Sequence, residues 1–174
     1  MQIFKEWFYN FLHARGMDKA NGQMLFRYRA TQVEYQELKG IFTDRFITLD
    51  GASWQHESNA ESALFVLYAS EWWRREYAGG AWRWTSIFES LTTGPYRVDP
   101  LERSVIIALG LRAWGHRPSE DGKKYLGAIV AHGGLPLKLL ARGDGVITRL
   151  LLSATRKAQM LSWGEQQLVG YFES

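Results

Sequence analysis

Seven residues with indole or guanidinium side chains lie close together on either side of a glycine pair. We call them the aromatic–arginine turn; they are Trp72, Trp73, Arg74, Arg75, Trp82, Arg83 and Trp84. Indole rings can stack on nucleic-acid bases or fill a pocket on another protein, and guanidinium groups can bind phosphates or carboxylates. We therefore predict a binding surface here. The alternative is that Trp72 and Trp84 are core residues and that the arginines form a solvated helix end.

Two further groups of basic residues are candidates for contact with an anionic ligand. Arg27 and Arg29 alternate with apolar residues in the segment 24–29, which would place both on the exposed side of a strand. A basic face is also predicted towards the C-terminal end of the sequence, and it comprises Lys138, Arg149, Arg156 and Lys157. An ordinary solvated surface is the alternative for both groups.

Motifs for catalysis or metal binding are missing from the sequence. It has no cysteine, and its four histidines do not fall at the spacing of a metal or triad motif. No serine lies in a glycine-flanked nucleophile elbow. We therefore expect a protein with no catalytic residue, no metal and no cofactor. The alternative is an enzyme whose site is assembled from scattered polar residues.

The composition of the chain is that of a folded protein rather than a disordered one. Of its 174 residues, 46% are hydrophobic and 22% are charged, so we expect one domain over residues 1–174. The formal net charge is only +3, and any affinity for nucleic acid must therefore come from local clusters of Lys and Arg. No apolar run approaches the length needed to cross a bilayer, and the sequence shows no signal peptide. These features favour a cytoplasmic protein without a membrane partner.

The aromatic–arginine turn follows a segment, Ser58 to Ala78, that has the pattern of a long buried helix. Ser58 followed by Glu61 is a capping box, and the apolar run 63–69 makes more than one face of the helix apolar. The glycine pair 79–80 is typical of a helix end. We expect this helix to lie in the middle of the domain.

A second buried helix is predicted from Asp99 to Trp114. Asp99 is a good capping residue, and Pro100 suits the first helical position. The face predicted to be buried carries Leu101, Val105, Ile106, Leu109 and Trp114.

The remaining segments are predicted as amphipathic helices and one short ribbon. The ribbon would pair residues 24–29 with residues 45–49, because alternating or β-branched residues favour strands. Helices are predicted over residues 2–14, 31–43, 85–91, 125–131, 135–141, 144–161 and 162–172. The predicted fold is mainly α, a single helical domain of about seven to eight helices that could include a small two-stranded β-ribbon.

Three stretches of the sequence resemble a known group of proteins: HARGMDKANGQMLFRYRAT at 13–31, LYASEWWRREYAGGAWRW at 67–84 and HGGLPLKLL at 132–140. They are similar to the N-terminal region of large, poorly characterised bacterial proteins of antiphage defence islands, including those of the Druantia type. The resemblance implies a defence context and carries over no catalytic residue. Because those proteins are much longer, it implies an isolated module or a stand-alone relative.

The function expected from these observations is a non-catalytic binding module in a bacterial antiphage-defence or mobile-element context. Its partner would be nucleic acid, either DNA or RNA, or a larger defence effector protein, held through the aromatic and arginine residues. A pure protein–protein scaffold without nucleic-acid contact is the first alternative. The two differ in salt dependence, because counterion release weakens phosphate binding steeply as salt rises. The sequence leaves the ligand and the oligomeric state open.

Overall fold

A computed structural model of the chain describes residues 2–117, 125–142 and 145. These residues form seven α-helices and a short 3-10 helix, Leu25–Tyr28, and they contain no β-sheet. The mainly α fold is therefore confirmed. The helices are α1 (Gln2–His13), α2 (Gln32–Leu49), α3 (Asn59–Glu76), α4 (Trp84–Glu89), α5 (Pro100–Ala113), α6 (Tyr125–Gly133) and α7 (Leu137–Arg142).

The central element is α3, which is buried without interruption from Glu61 to Glu71. Helices α1, α2, α5, α6 and α7 all pack against it. Its start is as predicted, because the Ser58 side chain accepts from the Glu61 amide at 3.1 Å. The reciprocal half of the capping box differs: the Glu61 carboxylate accepts from the Glu57 amide instead. The helix ends at Glu76, and the glycine pair follows in the next turn.

Two glycines allow neighbouring helices to approach the backbone of α3. A Cβ at Gly110 of α5 would lie 2.5 Å from Val66 Cγ2 and closer still to the Ser62 carbonyl oxygen. A Cβ at Gly133 of α6 would lie 2.5 Å from the Ser70 carbonyl oxygen. Only glycine fits at these two crossings, since real Cβ atoms do not approach other atoms so closely.

The orientation of α5 corrects one sequence prediction. The helix forms where predicted, with the Asp99 side chain capping its first turn. However, Leu101 is 79% exposed and Val105 is 44% exposed, whereas Ile106, Ile107, Gly110 and Leu111 are buried. The face that contains Gly110 turns towards α3, because that face alone permits the close approach.

The prediction of a β-ribbon is wrong, because neither of its two strands forms. Residues 45–49 continue α2, where Phe42 and Phe46 are buried one turn apart and Arg45 bonds Glu61. In the segment 24–29, burial recurs after three residues, at Leu25 and Tyr28, which suits a 3-10 turn. Tertiary packing has overridden local β-propensity in both segments. One isolated β-bridge joins residues 53 and 97 in the described part of the chain.

Buried tryptophans have hydrogen-bond partners for their indole N–H groups. Trp54 Nε1 donates to Glu61 Oε1 at 3.0 Å, and Trp114 Nε1 donates to the Ala63 carbonyl at 2.8 Å. Both acceptors belong to α3, so these rings attach other segments to the central helix. None of the described helices is long and apolar enough to cross a membrane.

Replacing a helical glycine by alanine should have opposite effects in α5 and in α2. Gly110→Ala places a methyl group against α3 and should lower the free energy of unfolding by about 1–3 kcal/mol. Gly40→Ala is the matched control, because a Cβ there meets no atom within 4 Å. It should raise stability by about 0.5–1 kcal/mol. Urea denaturation measures both, and equal effects would contradict the close α3–α5 crossing.

Candidate functional site

The two arginines at the end of α3 are held by a buried carboxylate. Arg74 Nη2 and Arg75 Nε each donate to Glu71 Oε2 at 2.8 Å, and Glu71 is only 1% exposed. Arg75 Nη2 also donates to the Ala30 carbonyl, and its guanidinium lies 5.5 Å from the centre of the Tyr35 ring. Both arginines therefore join α3 to the segment that begins α2.

The tryptophans of the aromatic–arginine turn pack mainly on one another. Trp73 is the buried ring, and its Nε1 donates to the Gly134 carbonyl at 2.8 Å. Trp72 is half-buried and stacks on Trp82 with ring centres 5.5 Å apart. Trp82 Nε1 in turn donates to the Leu126 carbonyl. The tryptophan of this turn that belongs to the core is therefore Trp73 rather than Trp72, which is half-buried.

The outer part of the same turn carries Trp84 and Arg83. Trp84 is half-buried, and the Arg103 guanidinium lies 5.3 Å from its ring centre. Arg83 is exposed just before α4. In the turn, Arg83 is therefore the arginine that faces solvent most fully.

Arg27 and Arg29 belong to a different surface, a groove of about 610 Å³ between the end of α1 and the start of α2. We call it the arginine groove. Both residues are exposed, and Arg29 has a left-handed backbone with φ 53°. A left-handed non-glycine residue is strained, and such strain is often found at binding sites. The groove is lined by Ala14, Arg15, Met17, Asn21, Gln23, Arg27, Tyr28, Arg29, Thr31 and Glu34.

Arg15 connects the segments that form the arginine groove through hydrogen bonds of its guanidinium. Its guanidinium donates to both carboxylate oxygens of Glu34, at 2.9 and 2.8 Å. It also donates to the carbonyl oxygens of Phe11, Tyr28 and Arg29. Burial by itself would raise the pKa of Glu34, but the hydrogen bonds from Arg15 and Thr31 and the charge of Arg15 together outweigh it and hold that pKa below its usual value. Arg15 thus ties three parts of the chain together, and its charge is balanced by Glu34.

Asn21 presents a hydrogen-bond donor of fixed orientation to the groove. Its Oδ1 accepts from the Tyr28 hydroxyl at 2.9 Å and from the Gln23 amide at 3.1 Å. Burial raises the pKa of Tyr28, which keeps the hydroxyl protonated and able to donate. With Oδ1 engaged twice, the Nδ2 group remains to donate to a ligand.

Two histidines connect the segment 23–25 to α6 and to the residues that follow α5. His116 Nε2 lies 2.9 Å from the Gln23 carbonyl, and His132 Nδ1 accepts from the Leu25 amide at 3.3 Å. The two imidazole rings meet edge to face, with centres 4.3 Å apart. Burial, followed by the proximity of His116, lowers the pKa of His132 to about 3. His132 is therefore a neutral structural acceptor at ordinary pH.

The basic face predicted towards the end of the sequence is described only at Lys138. Its ammonium group lies 2.9 Å from Glu76 Oε2 in an exposed ion pair. Arg149, Arg156 and Lys157 lie outside the described residues, as do the helices predicted over residues 144–161 and 162–172 except for residue 145. Within the described ranges, no three His, Cys, Asp or Glu side chains come close enough to hold a metal ion.

Sequence reasoning missed Arg15, Asn21 and Gln23 as members of a site. All three lie in the stretch 13–31, whose resemblance to other proteins was the available signal. The structure brings them together with Arg27 and Arg29 in a groove that no residue of the aromatic–arginine turn lines.

The fold and this groove define a helical domain with a basic surface, and comparison with known proteins gives its family. Residues 2–135 match the YjiT N-terminal domain, so the chain belongs to that family. Protein YjiT of Escherichia coli (strain K12) is 30% identical over 155 residues, which cover 83% of this chain and 28% of that protein. The chain thus spans less than a third of the length of this curated relative. No solved structure matches the chain.

Removing the buried carboxylate of α3 should destabilise the protein far more than removing an exposed one nearby. Glu71→Ala leaves Arg74 and Arg75 without their common acceptor, and a broken buried ion pair typically costs about 3–5 kcal/mol. Glu76→Ala is the matched control and should cost less than about 1 kcal/mol, because its partner Lys138 is exposed. Chemical denaturation measures both, and similar losses would show that Glu71 is not a structural centre.

Stability should decrease in acid partly through His132. The unfolded histidine binds a proton near its ordinary pKa of 6.5, whereas the folded one does so only near 3. Between these values the unfolded state binds more protons, so stability falls as the pH falls, by up to about 1.4 kcal/mol per pH unit. His132→Gln keeps an acceptor for the Leu25 amide but does not titrate. Its urea midpoint should therefore depend less on pH than that of the wild type, and parallel curves would contradict a buried neutral His132.

Proposed function

We propose that this chain is a non-catalytic binding module that contacts the phosphate groups of nucleic acid through the arginine groove. The observation that carries this proposal is the contrast between Arg27 and the arginines at the end of α3. Arg74 and Arg75 are bound to Glu71, whereas Arg27 is exposed in an open groove. Guanidinium groups with accessible donors are suited to phosphate oxygens.

The charge of the groove supports an anionic ligand. Three guanidinium groups and one carboxylate line it, and the carboxylate of Glu34 is already bonded to Arg15. The groove therefore presents the charge of Arg27 together with the amide donor of Asn21. Both are donors, which suits the acceptor oxygens of a phosphate backbone.

The aromatic rings give less support to a pure protein scaffold. Binding hot spots on proteins are usually aromatic side chains that enter a pocket of the partner. Here Trp72, Trp73 and Trp82 pack on one another, and the last two donate their N–H groups to backbone carbonyls. These rings are already used by the fold, so the basic groove is the better candidate for contact.

The biological setting of the proposal is antiphage defence or a mobile element in the bacterial cytoplasm. It rests on the resemblance of the stretches 13–31, 67–84 and 132–140 to proteins of defence islands. The first of these stretches supplies most of the arginine groove. A nucleic-acid-binding module would suit a protein that responds to foreign genomes.

Reversing one charge in the groove should weaken nucleic-acid binding. We expect fluorescence anisotropy with short DNA and RNA, single- and double-stranded, to show binding at about 50 mM salt that weakens strongly at about 200 mM. Arg27→Glu should lower the affinity about tenfold or more. Arg29→Asn should lower it less, because Asn tolerates the left-handed backbone and only one charge is lost.

The matched control for the groove variants is Arg97→Glu, the same substitution at an exposed arginine that does not line the groove. It should leave the affinity nearly unchanged. Absence of binding to every nucleic acid at low salt would overturn the proposal in favour of a protein scaffold. An equal loss in Arg97→Glu and Arg27→Glu would show that binding does not depend on this groove.

A further inference from the structure

A second cleft, of about 300 Å³, lies between α2 and the turn that follows α4. It shares no lining residue with the arginine groove. We propose that this cleft binds a small zwitterion with an apolar side chain, which is the chemistry of a free amino acid such as leucine or phenylalanine. The residues that line it are Lys39, Thr43, Ile47, Glu89, Ser90, Leu91, Thr92 and Thr93.

The two charges of the cleft come from opposite walls. Lys39 belongs to α2 and Glu89 is the last residue of α4. In the described part of the chain, neither side chain takes part in an ion pair. A ligand with a carboxylate and an ammonium group could pair with both at once, and charge-assisted hydrogen bonds are the stronger kind.

The hydroxyl groups of the α4 wall are partly fixed from behind. Ser90 Oγ lies 2.7 Å from the hydroxyl of the buried Tyr68, and it also donates to the Ile87 carbonyl. Thr92 Oγ1 accepts from the Gly94 amide at 3.1 Å. These bonds hold the turn in one conformation. Within the part of the chain that the structure describes, the hydroxyl groups of Thr43 and Thr93 have no such bond, and both residues line the cleft.

The apolar part of the ligand is inferred from Ile47. This side chain lines the cleft and is 65% exposed. An apolar ligand side chain lying on Ile47 would remove that surface from water. Ligand pockets commonly measure about 300–1,000 Å³, so this cleft suits one amino acid better than a peptide or a nucleotide.

The test is isothermal titration of the whole chain with L-phenylalanine and L-leucine, and with the N-acetyl and methyl-ester derivatives of both. The N-acetyl compound lacks the ammonium charge and the methyl ester lacks the carboxylate charge. Lys39→Gln should weaken binding of the free amino acid and the N-acetyl compound at least about fivefold and spare the ester. Glu89→Gln should weaken binding of the free amino acid and the ester and spare the N-acetyl compound.

The matched control is Lys19→Gln, which removes an exposed lysine outside the cleft and should change none of these affinities. Circular dichroism checks that each variant is folded. The proposal is overturned when the wild type binds neither amino acid at about 10 mM. It is equally overturned when Lys39→Gln and Glu89→Gln change all three ligand types to the same extent. Groove variants such as Arg27→Glu should leave this binding intact, which separates it from the nucleic-acid proposal.

Discussion

The structure depends on burying the stretch of α3 from Glu61 to Glu71, which has a carboxylate at each end. Glu61 and Glu71 are both inaccessible to solvent, and an unpaired buried charge costs several kcal/mol. Glu61 is satisfied by Arg45, Trp54 and the Glu57 amide, and Glu71 accepts from Arg74 and Arg75 through Oε2. The apolar middle of α3 supplies most of the driving force, while these two carboxylates determine where the surrounding segments must lie.

Close helix crossings complete this arrangement. Gly110 and Gly133 bring the backbones of α5 and α6 against α3, so the position of the glycine decides which face of each helix is buried. The consequence is visible on α5, where Leu101 and Val105 stay exposed although they are more hydrophobic than glycine. Backbone proximity gains dispersion contacts along the whole crossing, which outweighs the burial of one or two aliphatic side chains.

Among the described residues, some arginines are bonded within the fold and others are exposed to solvent. Arg15, Arg45 and Arg75 each connect a carboxylate to other groups of the fold. Arg27 and Arg83 face solvent. The same residue type thus stabilises the domain in one place and is exposed to solvent in another. Clustering along the chain does not distinguish the two roles, because the acceptor that neutralises a guanidinium can belong to any turn nearby in space.

The sequence by itself determined the mainly α fold, the starts of α3 and α5, and the burial of α3. Those features depend on caps and on apolar periodicity, which are local. Only the tertiary structure decided that residues 45–49 continue a helix, that Trp73 is buried more fully than Trp72, and that Arg15 and Asn21 join Arg27 in a groove. Each outcome depends on a hydrogen-bond acceptor: Glu61 for Arg45, the Gly134 carbonyl for Trp73, and Glu34 for Arg15. These acceptors are distant enough along the chain that no local pattern encodes the contacts. A guanidinium or an indole N–H is assigned its role by the acceptor it reaches, and that acceptor is set by packing.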